Sequence, residues 1–210
     1  MQNQREELNK LSPYVWLGNN DPIMKRLVEK HGELALNKSA DFFLDLASSI
    51  VGQQLSVKAA RTIWGRVEVL LGGIITPERV FAVADEDLRG AGLSTGKTKY
   101  IKNLAEAVVS GTLELDKLND LSDEEIIKQL TAVKGIGKWT AEMFLMFSLA
   151  RPNVFSLGDV GLYNSMRKLY GEDLSKEQIL EIIAKWQPWQ TYACLYLWRD
   201  LDNEGVKINE

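Results

Sequence analysis

The sequence predicts an all-α protein of about ten helices. Apolar residues recur at helical spacing in segment after segment, and most segments begin at a capping residue and end at glycine or proline. No segment alternates apolar and polar residues as a half-buried strand does. The best candidate, 69–76, is broken by Gly72 and Gly73.

The elements follow in chain order. Residues 1–13 read as a polar arm. Asp21 caps and Pro22 opens a helix that runs to His31 and stops at Gly32. His31, on no motif, reads as a helix-end residue near the C-terminal dipole. Ser39 is the expected cap of a helix over 40–54, which Gly52-Gln53-Gln54-Leu55-Ser56 interrupts. A helix over 57–70 ends at Gly72-Gly73. Thr76-Pro77-Glu78 opens another that ends near Ala84, and a short one spans 86–90. Residues 97–109 are helical up to Ser110-Gly111. Ser122 and Glu125 have capping-box spacing ahead of an amphipathic run over 123–132, and an apolar helical run follows over 139–149. A helix over about 160–170 and a last pair, 176–186 and 191–201, complete the chain. Pro188 breaks that pair, and Ser175 and Gln178 form a second capping box.

Composition narrows the function classes. The chain has 210 residues, 45% hydrophobic and 26% charged, as in globular proteins. No apolar run approaches a membrane span, and the first residues, MQNQREELNK, do not read as a signal peptide, so a cytoplasmic protein is expected. Cys194 is the one cysteine and cannot by itself hold a disulfide, a thiolate zinc site or an iron–sulfur cluster. The net charge of −4 is mildly unfavourable for nucleic acid, but the basic residues are grouped. Lys97, Lys99 and Lys102 share an acid-free stretch, as do Lys58, Arg61 and Arg66, while acids gather at 85–87, 114–125 and 172–181. A basic face on an acidic protein is expected.

The stretch Leu130 to Asp159 carries the chemistry. Val133-Lys134-Gly135-Ile136-Gly137-Lys138 joins two helices through a very short connection. Glycine tolerates the positive φ such a fold-back needs and bares the backbone N–H groups where the second helix begins. A helix start of this kind suits a phosphate, and Lys134 and Lys138 add charge. A Gly-x-Gly alone is equally the turn of any αα-hairpin. Asp159, ahead of VGLYNSMRKLYG, reads by itself as an N-cap. Trp139 alone reads as a core residue on an apolar helix, and the 52–56 segment alone as a polar junction.

The longer pattern is more specific. Val-Lys-Gly-Ile-Gly-Lys followed by Trp-Thr-Ala, with Ser156-Leu157-Gly158-Asp159 about twenty residues on, resembles the helix-hairpin-helix DNA glycosylases of the HhH-GPD superfamily. The resemblance implies two helical lobes with a DNA-binding cleft between them, one lobe over about 57–150 and the other from about 1–56 plus 151–210, and no added β domain. It implies that Val133, Lys134, Gly135, Ile136, Gly137, Lys138 and Thr140 contact DNA. The carbonyls of Val133, Gly135 and Ile136 would take a structural Na+ or K+, with no catalytic metal and no other cofactor. Gln53, Gln54, Leu55 and Ser56 would form the loop that fills the gap left by a flipped base, Gln54 being the expected plug. Gly92-Leu93-Ser94-Thr95-Gly96-Lys97 reads equally as a second phosphate site or as a connection.

Asp159 matches the family's catalytic aspartate, which stabilises the oxocarbenium-like sugar and orients water. A carboxylate near a helix N-terminus stays ionised more readily. Relatives that also cut the backbone place a Schiff-base lysine where this chain has Trp139, so a monofunctional enzyme is implied. Tryptophan here resembles the 3-methyladenine DNA glycosylase II subfamily, whose charged alkylated purines are favoured by an aromatic face. Trp198 matches a pocket aromatic of that subfamily, and Met143 falls where it has a tyrosine. Trp186 and Trp189 are expected to pack the lobe. The resemblance therefore implies release of alkylated purines from damaged double-stranded DNA by a monomer, at the nucleoid if the host is bacterial. A glycosylase for another lesion and a non-catalytic hairpin DNA binder are the alternatives. Asp159 separates the second, because a binder gains nothing from a carboxylate beside phosphates.

Overall fold

The computed structural model describes residues 12–202, and among these there is no strand. Helices α1 (Pro13–Asn20) and α2 (Pro22–His31) open the chain. Then come α3 (Phe42–Gly52), α4 (Val57–Leu70), α5 (Pro77–Ala82), α6 (Asp85–Gly90) and α7 (Thr95–Val109). A 3-10 turn over Leu115–Asp120 leads to α8 (Asp123–Ala132) and α9 (Lys138–Met143), which runs into a π-helical turn, Phe144–Ser148. Helices α10 (Val160–Tyr170), α11 (Lys176–Ala184) and α12 (Gln190–Asp202) follow.

The chain forms two units. One holds residues 12–37 and 150–202; the other is Lys38–Leu149. The continuous unit thus begins well before residue 57, where the sequence placed its start. The physical reason is α3, which packs on α4, on α7 and on the π-helical turn. Phe43, Leu46, Ala47 and Ile50 of α3 are buried, as are Ile101, Leu104 and Ala105 of α7. Burial of large aliphatic and aromatic side chains is worth roughly 1.5–3 kcal/mol each, so α3 belongs with the partners that cover it.

The discontinuous unit is closed by one carboxylate. Asp21 caps α2 through Oδ1, which accepts from Ile23 N at 2.8 Å and Met24 N at 3.2 Å. Its Oδ2 accepts from Tyr170 Oη at 2.7 Å and from the fully buried Trp186 Nε1 at 3.0 Å. Burial, then the Asp21 charge and hydrogen bond, push the Tyr170 phenol far up, so it remains a donor. Near the far end of α12, Asp200 accepts from Lys30 Nζ at 2.5 Å and from His31 Nε2 at 3.2 Å. His31 is therefore a buried partner of a carboxylate as well as a helix-end residue.

Several local expectations change. Helix α1 starts with Ser12 as cap and Pro13 inside, while residues 1–11 of the expected arm lie outside the described residues. Asp41, not Ser39, caps α3, its side chain accepting from Leu44 N at 2.9 Å. The single helix expected over 139–149 is α-helical only to Met143. Residues 69–76 are the end of α4 and a glycine turn.

Candidate nucleic-acid interface and active site

In the continuous unit, α8 begins with the complete Ser122–Glu125 capping box and stops at Val133, whose backbone turns extended. Ile136 N–H donates back to Val133 O at 3.0 Å, closing the turn. Gly135 sits at φ +112°, and a Cβ there would lie 2.4 Å from Cβ and Cγ of Tyr100. Glycine is required twice over, for the backbone angle and for the ring lying against it. The first bond of α9 runs from Ala141 N–H to Gly137 O at 3.0 Å, and the N–H groups ahead of it point out of the helix end.

The turn is braced from two sides. Gln53 Nε2 donates to Gly135 O at 3.1 Å, and Asn103 Nδ2 on α7 donates to Lys134 O at 3.0 Å. Lys134, Gly137 and Lys138 are exposed. Lys138 Nζ stands 3.6 Å from Glu142 Oε1, one turn along α9. Thr140, grouped by sequence with the DNA contacts, is buried and lines a cavity within this unit. Two of the three carbonyls expected at a cation site already accept a hydrogen bond, Val133 O from Ile136 and Gly135 O from Gln53.

The loop over 53–56 separates its candidates. Gln53 is committed to the hairpin, while Gln54 is exposed and holds φ +57°, an uncommon angle for a residue with a side chain. Leu55 is half-buried, and Ser56 caps α4 through a bond from Ala59 N at 3.3 Å. The lysine stretch 97–102 is not a uniform basic surface. Lys97 Nζ donates to Val51 O at 2.7 Å, and burial lowers its pKa. Lys102 Nζ donates to the carbonyls of Phe81 and Val83. Lys99 alone of the three is exposed. Ser94 caps α7 through its side chain, which accepts from Lys97 N.

Trp139 is 45% exposed on the first turn of α9. One turn on, Met143 lines a cavity of about 370 Å³ with Thr140, Phe144 and Phe147 and with residues of α3. Trp139 does not line it.

In the discontinuous unit, Asp159 caps α10. Its Oδ1 accepts from Leu162 N at 2.8 Å and from Trp198 Nε1 at 3.1 Å. Asp159 as a whole is 9% exposed. Asp159 N–H donates to Ser156 O at 3.1 Å, a turn that presents the side chain at the helix start. Trp198, expected as a stacking ring, thus also donates a hydrogen bond to the carboxylate. The arrangement fixes a negative charge by a helix N-terminus and an indole.

Residues 47–188 match the HhH-GPD superfamily of base excision DNA repair proteins. The chain belongs to this superfamily. It is 34% identical over 193 residues to DNA-3-methyladenine glycosylase 1 of Schizosaccharomyces pombe, covering 88% of this chain and 85% of that one. The crystal structure of a DNA-3-methyladenine glycosidase from Bacillus halodurans is similar at TM-score 0.81 and 44% identity, covering 90% of this chain and 89% of that one. The S. pombe 3-methyladenine DNA glycosylase, solved in complex with abasic DNA, is similar at TM-score 0.81 and 33% identity, covering 90% and 96%. The chain spans 66% and 68% of the lengths of two relatives from Bacillus subtilis.

In this HhH-GPD chain the sequence missed the supporting side chains. Gln53, Tyr100 and Asn103 hold the hairpin from outside it, and nothing local in the sequence announces contacts across such separations. Trp198 as a donor to Asp159 was equally invisible, since donor and acceptor stand 39 positions apart in the chain.

Proposed function

We propose that the chain is a monofunctional DNA-3-methyladenine glycosylase of base excision repair. The observation that carries this reading is Asp159 at the N-terminus of α10, its carboxylate held by Leu162 N–H and Trp198 Nε1. As the N-glycosidic bond lengthens, its electron pair leaves with the base, and positive charge grows on the sugar. An oriented carboxylate stabilises that charge without reorganising. Water adds at C1′ and loses a proton, with Asp159 orienting it, and an abasic site remains. A purine alkylated at N3 or N7 already carries positive charge, so it leaves as a neutral base and asks little of a general acid. Trp139 in place of a lysine removes the Schiff-base route, and its ring favours a cationic base.

The hairpin N–H groups with Lys134 and Lys138 would grip phosphate, and the Gln53–Ser56 loop would fill the stack, with Gln54 at its exposed tip. A monovalent cation at the hairpin would share Val133 O and Gly135 O with their present donors and take Ile136 O. The reaction calls for no other cofactor, because water is the nucleophile. Among the described residues no helix is long and apolar enough to cross a membrane. The reading makes the protein a monomer of the cytoplasm acting on damaged duplex, since one molecule serves one lesion.

The test is base release from methylated duplex DNA by the parent protein and by Asp159→Asn. The parent is expected to release methylated purines. The variant is expected to bind the same duplex with unchanged affinity and to lose release by at least about a hundredfold, the scale of a removed electrostatic stabiliser. Equal release by both would overturn the mechanism.

A further inference from the structure

The cavity beside Met143 contains a charge that the reading above does not use. It lies within the continuous unit, between α3 on one side and α9 with its π-helical turn on the other. Its wall includes Asp45, Ser48 and Ser49 of α3 facing Met143, Phe144 and Phe147. At about 370 Å³ it falls in the range of small-molecule sites. Ser48 Oγ donates to the Asp45 carbonyl at 3.0 Å, which leaves the carboxylate itself untouched. No hydrogen bond or ion pair among the described residues reaches the Asp45 side chain, although it is partly buried.

Asp45 shares this wall with the hydroxyl residues Ser49, Thr140 and Ser148 as well as with Met143, Phe144 and Phe147, and a partly buried carboxylate to which none of them donates gains from a charged partner. A cation entering the cavity restores the balance. A neutral purine does so only weakly, through its exocyclic N–H groups. Aromatic and thioether faces add to the preference for a flat cationic ring.

We propose that Asp45 is a specificity residue that recognises the positive charge of the extracted alkylated purine in this cavity. The inference rests on the glycosylase reading and deepens it. Trp139 supplies an aromatic face outside the cavity, whereas Asp45 supplies a formal charge inside it. The occupant is a purine carrying a ring methyl and a positive charge, its edge toward Asp45 and Ser49 and its face toward Met143 and Phe147.

The experiment uses the full chain with Asp45→Asn and Asp45→Glu, on methylated duplex DNA and on a duplex with one abasic site. Asp45→Asn is expected to lower kcat/KM for release of methylated purines by about tenfold, the size of a lost hydrogen bond to a charged group. Asp45→Glu keeps the charge and is expected to stay within about threefold of the parent, a few tenths of the logarithmic scale. Both should bind abasic duplex as the parent does, because no base is present to read. Parent-like release by Asp45→Asn overturns the proposal, and so does a loss of abasic-duplex affinity in step with the loss of release, which would mark a structural role on α3. Failure of the parent to release any methylated purine overturns the glycosylase reading itself and is distinguishable from either.

Discussion

At the scale of single residues, the proposed chemistry turns on hydrogen bonds to one carboxylate. Asp159 Oδ1 is shared by a backbone N–H and an indole N–H, so its position is held from two directions. In the proposed mechanism Trp198 acts through Asp159 as a positioning residue. Trp198→Phe keeps an aromatic face and deletes the donor. Its kcat on methylated duplex is expected to fall about tenfold with KM changed little, the signature of a lost charge-assisted bond acting in the transition state. A rise in KM at constant kcat would mark Trp198 as a binding ring only. Single-turnover kinetics separate the two outcomes.

At the scale of elements, the hairpin shows how little of its geometry it owns. Gly135 turns the chain at φ +112° with Tyr100 against it, and Gln53 and Asn103 hold its carbonyls from α3's end and from α7. Gly135→Ala places a Cβ 2.4 Å from the Tyr100 side chain and strains the backbone as well. Strain of roughly 1–3 kcal/mol is expected. The variant should unfold at lower denaturant and bind undamaged duplex more weakly, although no charge has changed. Gly137→Ala, where a Cβ meets nothing within 4 Å and φ is −89°, should cost much less. Denaturation and anisotropy titrations on the two variants check the contrast.

At the scale of the molecule, two electrostatic balances can be measured. The first is stability against pH. Burial alone would raise Asp200, but the hydrogen bonds of Lys30 and His31 and the charges of Lys30 and Lys168 outweigh it and hold the carboxyl below its ordinary value. A folded-state pKa below the unfolded one stabilises above the unfolded value, about 3.9, and the contribution vanishes as pH falls through the folded one. Asp200→Asn is therefore expected to cost roughly 1–3 kcal/mol at neutral pH, and its difference from the parent should narrow below about pH 4. Urea unfolding across pH reads this directly. The second balance is binding. With a net charge of −4, affinity for duplex must come from local cations such as Lys134, and it should fall steeply with salt. Lys134→Ala is expected to reduce the slope of log affinity against log salt by about 0.9, one phosphate contact.

The sequence by itself determined what is local. Caps at Asp21, Ser122, Asp159 and Ser175, the stop at Gly32 and the turn at Gly135 follow from side chains acting on backbone within a few residues. The all-helical class was legible in the helical spacing of apolar residues, and the family in a short hairpin motif of fixed spacing. Only the tertiary structure decided which unit α3 joins, that Lys97 and Lys102 turn onto backbone carbonyls, that Gln53 braces the hairpin, and that Trp198 holds Asp159. Each of these joins residues far apart in the chain, and an exposed lysine and one that has found a carbonyl are spelled alike. Hydrogen-bond partners and burial belong to the packed chain, and local pattern carries no record of them.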